Sequence, residues 1–356
     1  MTGVQTCALP ISDNVEHVIS CIYSSPTINS LIIQNSPSAA IYMNYSNPVI
    51  KNSIIDNTQG ILVYADSSPL IDNCLIINHW GGSNNSIHIS SNSNALIVNT
   101  TITQNNRGLT FSHEGSAIIK NTIIWGNTDT YHGEQGPNNP QISFSLLEEF
   151  PSEGTDGGNN LYSDPQFTDP DNGDFTLQPT SPCIDTGDPE SEFDPDGTRA
   201  DMGAYPTYQN SFDLHAGANL ISFYVLPDDK SVTNMLSSLG DNATGIIGEG
   251  VAASQINGNW SGSLTTIAET SGYWVKISEA DELRVFGEPV IGSDVEYELH
   301  SGANLVSYPY EDSNEIESAL TENAQTNLTG IIGEGVAANN SSENGWVGSL
   351  DAFGKN

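Results

Sequence analysis

The sequence predicts a mainly β protein: a right-handed parallel β-helix solenoid followed by two small mixed β-rich modules. Three observations predict it. A unit of about 22 residues recurs as PTINSLIIQN, PVIKNSIIDN, PLIDNCLIIN, ALIVNTTITQ and AIIKNTIIWG from Pro26, Pro48, Pro69, Ala95 and Ala117, at intervals of 22, 21, 26 and 22 residues. Each unit holds short β-branched runs separated by polar turns, the mark of stacked strands rather than helices. A second, longer repeat follows: Leu214 and Gly245 recur 85 residues on as Leu299 and Gly330, and Trp260 recurs after 86 as Trp346.

Composition narrows the function classes. The 356 residues carry 44 acidic side chains against 8 Lys plus Arg, a formal charge of −36. Phosphate backbones and anionic headgroups repel such a chain, so nucleic acid is excluded as a partner. No apolar run approaches the ~18 residues of a spanning helix, and no membrane insertion is expected. Few lysines, with Asn, Ser, Thr, Gly and Asp between the apolar runs, suit an extracellular β-rich protein. A monomer is expected.

Residues 1–11, MTGVQTCALPI, resemble a translated sequencing adapter and are set aside as a scar, which places the natural start and any export signal upstream. Cys21, Cys74 and Cys183 then remain, an odd number with no zinc or CxxC spacing, so free buried thiols are expected.

Residues 12–124 are assigned to the rungs. Position three of the repeat is Ile28, Ile50, Ile71, Ile97 and Ile119, an aliphatic column that belongs in the core. Position five is Ser30, Asn52, Asn73, Asn99 and Asn121. Rungs stacked about 4.8 Å apart set these amides one above another as a structural ladder. The pattern resembles the right-handed β-helix repeat proteins of the pectate-lyase-like superfamily.

Residues 125–208 are assigned to a closing segment. It runs SDPQFTDPDNGDFTLQPTSPCIDTGDP and then FDPDGTRADMGAY, and resembles the terminal segment of surface β-helix proteins described as choice-of-anchor. Phe167, Phe175, Leu177, Ile184, Met202 and Tyr205 are expected to cover the open end of the solenoid. No cofactor is expected, with one alternative. Asp194, Asp196 and Asp201 lie within eight residues and are candidate calcium ligands, because hard cations want several carboxylate oxygens. The competing reading has Asp-Pro-Asp-Gly forming Asx turns and Asp201 paired with Arg199.

The modules span residues 209–290 and 291–356. Val232, Met235, Leu236 and Leu239 mark a short helix in the first, and Ile316, Ala319 and Leu320 its counterpart. The first continues into Gly272-Tyr273-Trp274-Val275-Lys276, whereas the second stops before that segment, which reads as a fragment's end. The modules resemble GYW-type repeats of large secreted bacterial proteins, a resemblance that implies export and a place on the bacterial outer surface. Trp260 and Trp274 are expected in the core, the alternative being sugar stacking.

Alternation along the later strand of each rung points Ile41, Met43, Ile61, Val63, Ile87, Ile89, Leu109 and Phe111 inward. The outward columns are then Tyr42, Leu62, His88, Thr110; Asn44, Tyr64, Ser90, Ser112; and Ser46, Asp66, Asn92, Glu114. This polar face with aromatics suits an extended glycan, with Tyr42, Tyr64 and His88 as candidate ligand-binding residues. Trp80, in a loop His79-Trp80-Gly81-Gly82 made by the longest rung, is the fourth. Lyases of the resembled superfamily need basic residues and calcium-binding aspartates, and the rungs offer only Lys51, Arg107 and Lys120. Lys51 and Asp72, on successive rungs, are expected to pair. Asp66 and Glu114 are the candidate catalytic pair, two rungs or about 9.6 Å apart, near the upper end of the carboxyl separation for inverting glycosidases.

The expected function is a non-catalytic, secreted or cell-surface scaffold for adhesion or for binding a polysaccharide or cell-surface glycan. The alternatives are a polysaccharide lyase or glycoside hydrolase of the resembled superfamily, and an inert stalk.

Overall fold

The computed structural model describes residues 17–79, 85–133, 140–152, 154–310 and 313–354. They form two compact units, residues 1–207 and 208–356. The expected scar at residues 1–11 lies outside the described residues.

The first unit is a parallel β-solenoid with three sheets. Sheet A stacks His17–Ile22, Ala39–Asn44, Ile61–Tyr64, Ile87–Ile89, Arg107–Phe111 and Asp129–Gly133. Sheet B stacks Thr27–Asn29, Val49–Lys51, Leu70–Asp72, Asn94–Val98, Ser116–Lys120, Gln141–Ser143 and Thr155–Gly158. Sheet C stacks Ile32–Gln34, Ile54–Asp56, Leu75–Ile77, Thr101–Thr103, Ile123–Trp125 and Leu146–Leu147. Every neighbouring pair within the three sheets is parallel. The solenoid therefore runs past residue 124, correcting the boundary expected there. Its later strands were hidden because the polar residues between Gly133 and Gln141 break the repeat's spacing.

Register makes the core. Ile28, Ile50, Ile71, Ile97, Ile119 and Ile142 face one another in sequence across six rungs. Ile50 through Ile142 in that column are fully buried. Cys21, Cys74 and Cys183 are free and buried, and burial pushes the Cys74 thiol up to about 12.

The corners explain the asparagines. Ser30, Asn52, Asn73, Asn99 and Asn121 all have φ between 47° and 56°, the left-handed region that Asn tolerates better than other side-chain-bearing residues. The ladder forms in part: Asn73 donates to Asn52 at 2.7 Å and Asn121 to Asn99 at 3.1 Å, whereas Asn52 donates outside the column to Asn29 at 2.8 Å. Asn99 instead donates to Asp72 at 3.0 Å, a carboxylate being the stronger acceptor. Asp72 also takes Lys51 Nζ at 3.0 Å. A second corner repeats the conformation at Asn35, Asn57, Asn78 and Gln104.

The closing segment does not sit where expected. Phe167, Phe175, Leu177, Cys183 and Met202 pack with Leu75, Ile77 and Ile123, which are the outward side chains of sheet C. Ala204 N–H donates to Thr101 Oγ1 at 2.9 Å, and Lys120 Nζ lies 2.7 Å from Asp188. The segment therefore covers the solenoid's flank. The early sheet C strands Ile32–Gln34 and Ile54–Asp56 end on a polar side chain and bury only their central isoleucine, whereas Leu75–Ile77 is apolar and buried throughout, the pattern of a strand buried on both sides.

In the second unit the first module packs Phe212, Phe223, Met235, Leu239, Ile246 and Val275 into one core, with Trp260 against it. Ser231 caps the short helix Val232–Met235 by accepting from Asn234 N–H. The counterpart helix is Ile316–Ala319, with Ile316 buried.

Candidate functional site

The outer face of sheet A carries the site. Tyr42 pairs in register with Leu62, Leu62 with His88, and His88 with Thr110. The next strand adds His132 opposite Thr110. Parallel strands keep each column straight, so side chains from successive rungs touch. His17 stacks on Tyr42 with ring centroids 4.3 Å apart, Tyr42 meets Tyr64 at 5.9 Å, and Tyr64 meets His88 edge-on at 5.2 Å.

A polar chain runs along the same face. Tyr64 Oη lies 2.9 Å from His88 Nδ1, and His88 Nε2 lies 2.9 Å from Ser112 Oγ. Ser112 Oγ donates to Ser90 Oγ at 2.9 Å. With Ser112 donating onward, it accepts from His88 Nε2–H, and Nδ1 is left to accept from the tyrosine hydroxyl. His88 is held below the ordinary imidazole range, first by burial and then by His113, Arg107 and His132. It is therefore neutral at pH 7, as this hydrogen-bond order requires.

Beside this chain is a groove of about 540 Å³ lined by Leu62, Tyr64, His88, Arg107, Thr110 and His132 among others. Asp129 holds its two basic residues in place: His132 Nδ1 is 2.7 Å and Arg107 Nε 3.9 Å from the same carboxylate oxygen. Thr110 Oγ1 donates to Asn85 at 2.7 Å and fixes the wall. Arg107, one of only 8 Lys plus Arg in the chain, therefore sits at this groove with the Asp129 carboxylate beside it.

The candidate residues distribute unevenly. Tyr64 and His88 line the groove, and Tyr42 stands one rung along, against Tyr64. Trp80 lies outside the described residues. Its predicted loop neighbour His79 is buried in the turn, with its backbone N–H bonded to Asn105 at 3.1 Å. Phe111, expected inward, packs against the solenoid core while remaining partly exposed at the groove. Asp66 and Glu114 occupy corner positions with φ of 54° and 65°, and Asn92 lies between them, donating to Asp66 at 2.6 Å. Neither is among the groove's lining residues.

Asp194, Asp196 and Asp201 are brought together, but their oxygens face backbone. Asp194 accepts from Asp201 N–H at 2.7 Å, Asp201 from Asp185 and Thr207 N–H at 2.7 Å each, and Asp196 from Thr198 N–H at 3.0 Å. Burial, then the neighbouring carboxylates, raises Asp194 to about 7; burial raises Asp201 to about 6. Arg199 donates to the Gly187 and Thr186 carbonyls, not to Asp201 as the competing reading had it. Among the described residues no group of three or more His, Cys, Asp or Glu is arranged to hold a metal ion.

Arg107 and His132 were not singled out as binding residues from the sequence. The signal was present: His132 falls 22 residues after Thr110, one repeat further along the same column.

Residues 9–143 match the family model described as a right handed beta helix region. A solved chain, described as the crystal structure of pectate lyase Pel9A, is similar at 14% identity and a TM-score of 0.31. The match covers 51% of this chain and 66% of that one, just under two thirds of its length. No curated protein sequence matches the chain.

Proposed function

We propose that the chain is a secreted or surface-exposed solenoid that binds a glycan along the outer face of sheet A. The observation that carries this reading is the run of rings Tyr42, Tyr64 and His88 beside the Arg107–His132 groove. Sugar rings offer apolar C–H faces to aromatic side chains and hydroxyls to polar ones, and the face supplies both in alternation. Straight columns at a rung spacing of about 4.8 Å suit an extended chain, because they present side chains at a regular interval along one direction. Export belongs to the proposal and rests on the resemblance of the closing segment and of the modules.

The test is retention of the full chain on immobilised acidic and neutral polysaccharides, with product formation read in the same samples. Retention without cleavage, lost in Tyr64→Ala, supports the reading. Release of reducing or unsaturated ends would make the protein an enzyme instead. Neither retention nor cleavage would leave an inert stalk.

A further inference from the structure

The two modules of the second unit are copies of one sequence, and stretches that they share meet each other across the pair. Leu214-His215 recurs as Leu299-His300, and Gly248-Glu249-Gly250 as Gly333-Glu334-Gly335. Glu249 stands at the tip of the hairpin between Ala243–Gly248 and Val251–Ile256, and Gly250 beside it has a φ of 70°. Glu334 stands alike between Gly330–Ile332 and Ala337–Ser341, with Gly335 at 71°. Glycine takes this left-handed backbone without strain, which keeps both turns tight and leaves a glutamate at each tip.

Each glutamate crosses to the other copy. His215 Nε2 lies 2.6 Å from Glu334, whose other oxygen accepts from Leu220 N–H at 2.7 Å. Reciprocally, His300 Nε2 pairs with Glu249, whose other oxygen accepts from Leu305 N–H at 2.8 Å. Leu220 and Leu305 are equivalent positions, so one contact occurs twice with the copies exchanged. Other bonds across the pair involve no titratable side chain. The Leu305 carbonyl accepts from Gly272 N–H at 3.2 Å, Ser307 N–H donates to the Thr270 carbonyl at 3.1 Å, and Tyr308 N–H donates to Ser222 Oγ at 3.0 Å.

The other ring nitrogen settles the charge of both imidazoles. His215 Nδ1 lies 3.0 Å from the Ala216 carbonyl, and His300 Nδ1 lies 3.0 Å from the Ser301 carbonyl. Carbonyl and carboxylate oxygens only accept, whereas a neutral imidazole has one N–H. Each ring faces two acceptors and so carries two protons. His215 and His300 are therefore imidazolium ions in this arrangement. The adjoining carbonyl first, and then the facing glutamate, hold each above the ordinary imidazole range. Glu334 is the titratable group that faces His215, and Glu249 the one that faces His300.

We infer that His215 and His300 form a pH-operated latch between the modules: charged rings clasp each glutamate turn onto the opposite copy, and neutral rings release the turns while the seam along residues 305–308 stays joined. A ring that loses a proton gives up one of its two bonds, and the glutamate keeps only the leucine N–H. The clasped rings hold their protons more firmly than free ones. The latch is therefore fully formed below about pH 6.5 and opens as pH rises through the raised values. Both pairs are solvent-exposed, with 62% of the His215 and 60% of the His300 side chain accessible, so each clasp is weak enough for this titration to open it.

The experiment uses the full chain. Proton NMR follows the His215 and His300 ring signals from pH 5 to 9, assigned with His215→Gln and His300→Gln. Amide hydrogen exchange is read at Leu220 and Leu305 at pH 6 and pH 9, each rate divided by that of an unstructured peptide at the same pH. Both rings should titrate above about pH 6.5, and protection at the two leucines should fall about threefold or more at pH 9. Glu334→Gln keeps an oxygen for Leu220 N–H and removes the charge. It should lower the His215 midpoint and make Leu220 protection independent of pH, and Glu249→Gln should do the same at His300 and Leu305. Ring midpoints at or below the ordinary value, protection that does not change with pH, or an equal fall in the glutamine variants would overturn the inference. So would a fall shared by Ile246 and Val275 in the buried sheet, which would signify unfolding of the first module instead of release of the turns.

Discussion

Tyr64 Oη stands 2.9 Å from His88 Nδ1, one rung away, and the bond ties the aromatic run of sheet A to its polar chain. Replacing Tyr64 with alanine removes the ring between Tyr42 and His88 together with the hydroxyl that His88 accepts from. Retention on a glycan that binds the unaltered protein should fall about tenfold or more. Thermal stability should change by only about 1 kcal/mol, because Tyr64 is partly exposed. Unchanged retention would remove Tyr64 from the binding face.

His88 makes the first unit sensitive to acid. Burial keeps its folded pKa below the ordinary value, so below about pH 6.5 the unfolded chain binds a proton that the folded chain refuses. Stability is therefore complete above that pH and declines as pH falls. His79, also lowered by burial, acts in the same sense. Denaturant unfolding at pH 7.5 and 5.5 should show the decline, and His88→Gln should flatten it in part. An equal decline in that variant would show that His88 does not contribute.

Asp194 and Asp201 have the opposite sign. Their folded pKa values of about 7 and about 6 exceed the unfolded value, so the folded state holds protons that the unfolded chain has released. The stability they confer is present below about pH 4 and is lost as pH rises toward 7. Asp194→Asn keeps the oxygen that accepts from Asp201 N–H and removes the charge. Above pH 7 it should stabilise the unit by about 1 kcal/mol, measured by denaturant midpoint; destabilisation there would mean that the carboxylate is needed as an anion.

At Asn73 two effects can be separated. Its φ is 54°, and its amide donates to Asn52 at 2.7 Å. Asn73→Ala loses the hydrogen bond and places a β-carbon in left-handed backbone, together costing about 1–3 kcal/mol. Asn73→Gly loses only the bond and should cost less. Equal midpoints for the two variants would remove backbone strain as the reason for asparagine at this corner.

The solenoid was legible from residue order alone because each rung repeats one local problem. The isoleucine column and the left-handed asparagine corners recur at nearly constant spacing, and stacking converts spacing directly into contact. The outward columns through Tyr42, Tyr64 and His88 followed from the same arithmetic. The groove did not, since it depends on side-chain contacts that spacing leaves open: Asp129, in register with Arg107, reaches both Arg107 and His132, and Asn85, from the longest rung, braces Thr110. The closing segment's place on sheet C was likewise beyond periodicity. Its hydrophobic residues announced that they would be buried, but a transfer free energy has no direction. Only packing against Leu75, Ile77 and Ile123 chose the flank over the end. The same holds for Asp66 and Glu114: they align in the repeat, but the corner backbone places them outside the groove, because rung counting specifies height along the solenoid and leaves side-chain direction to the local φ and ψ.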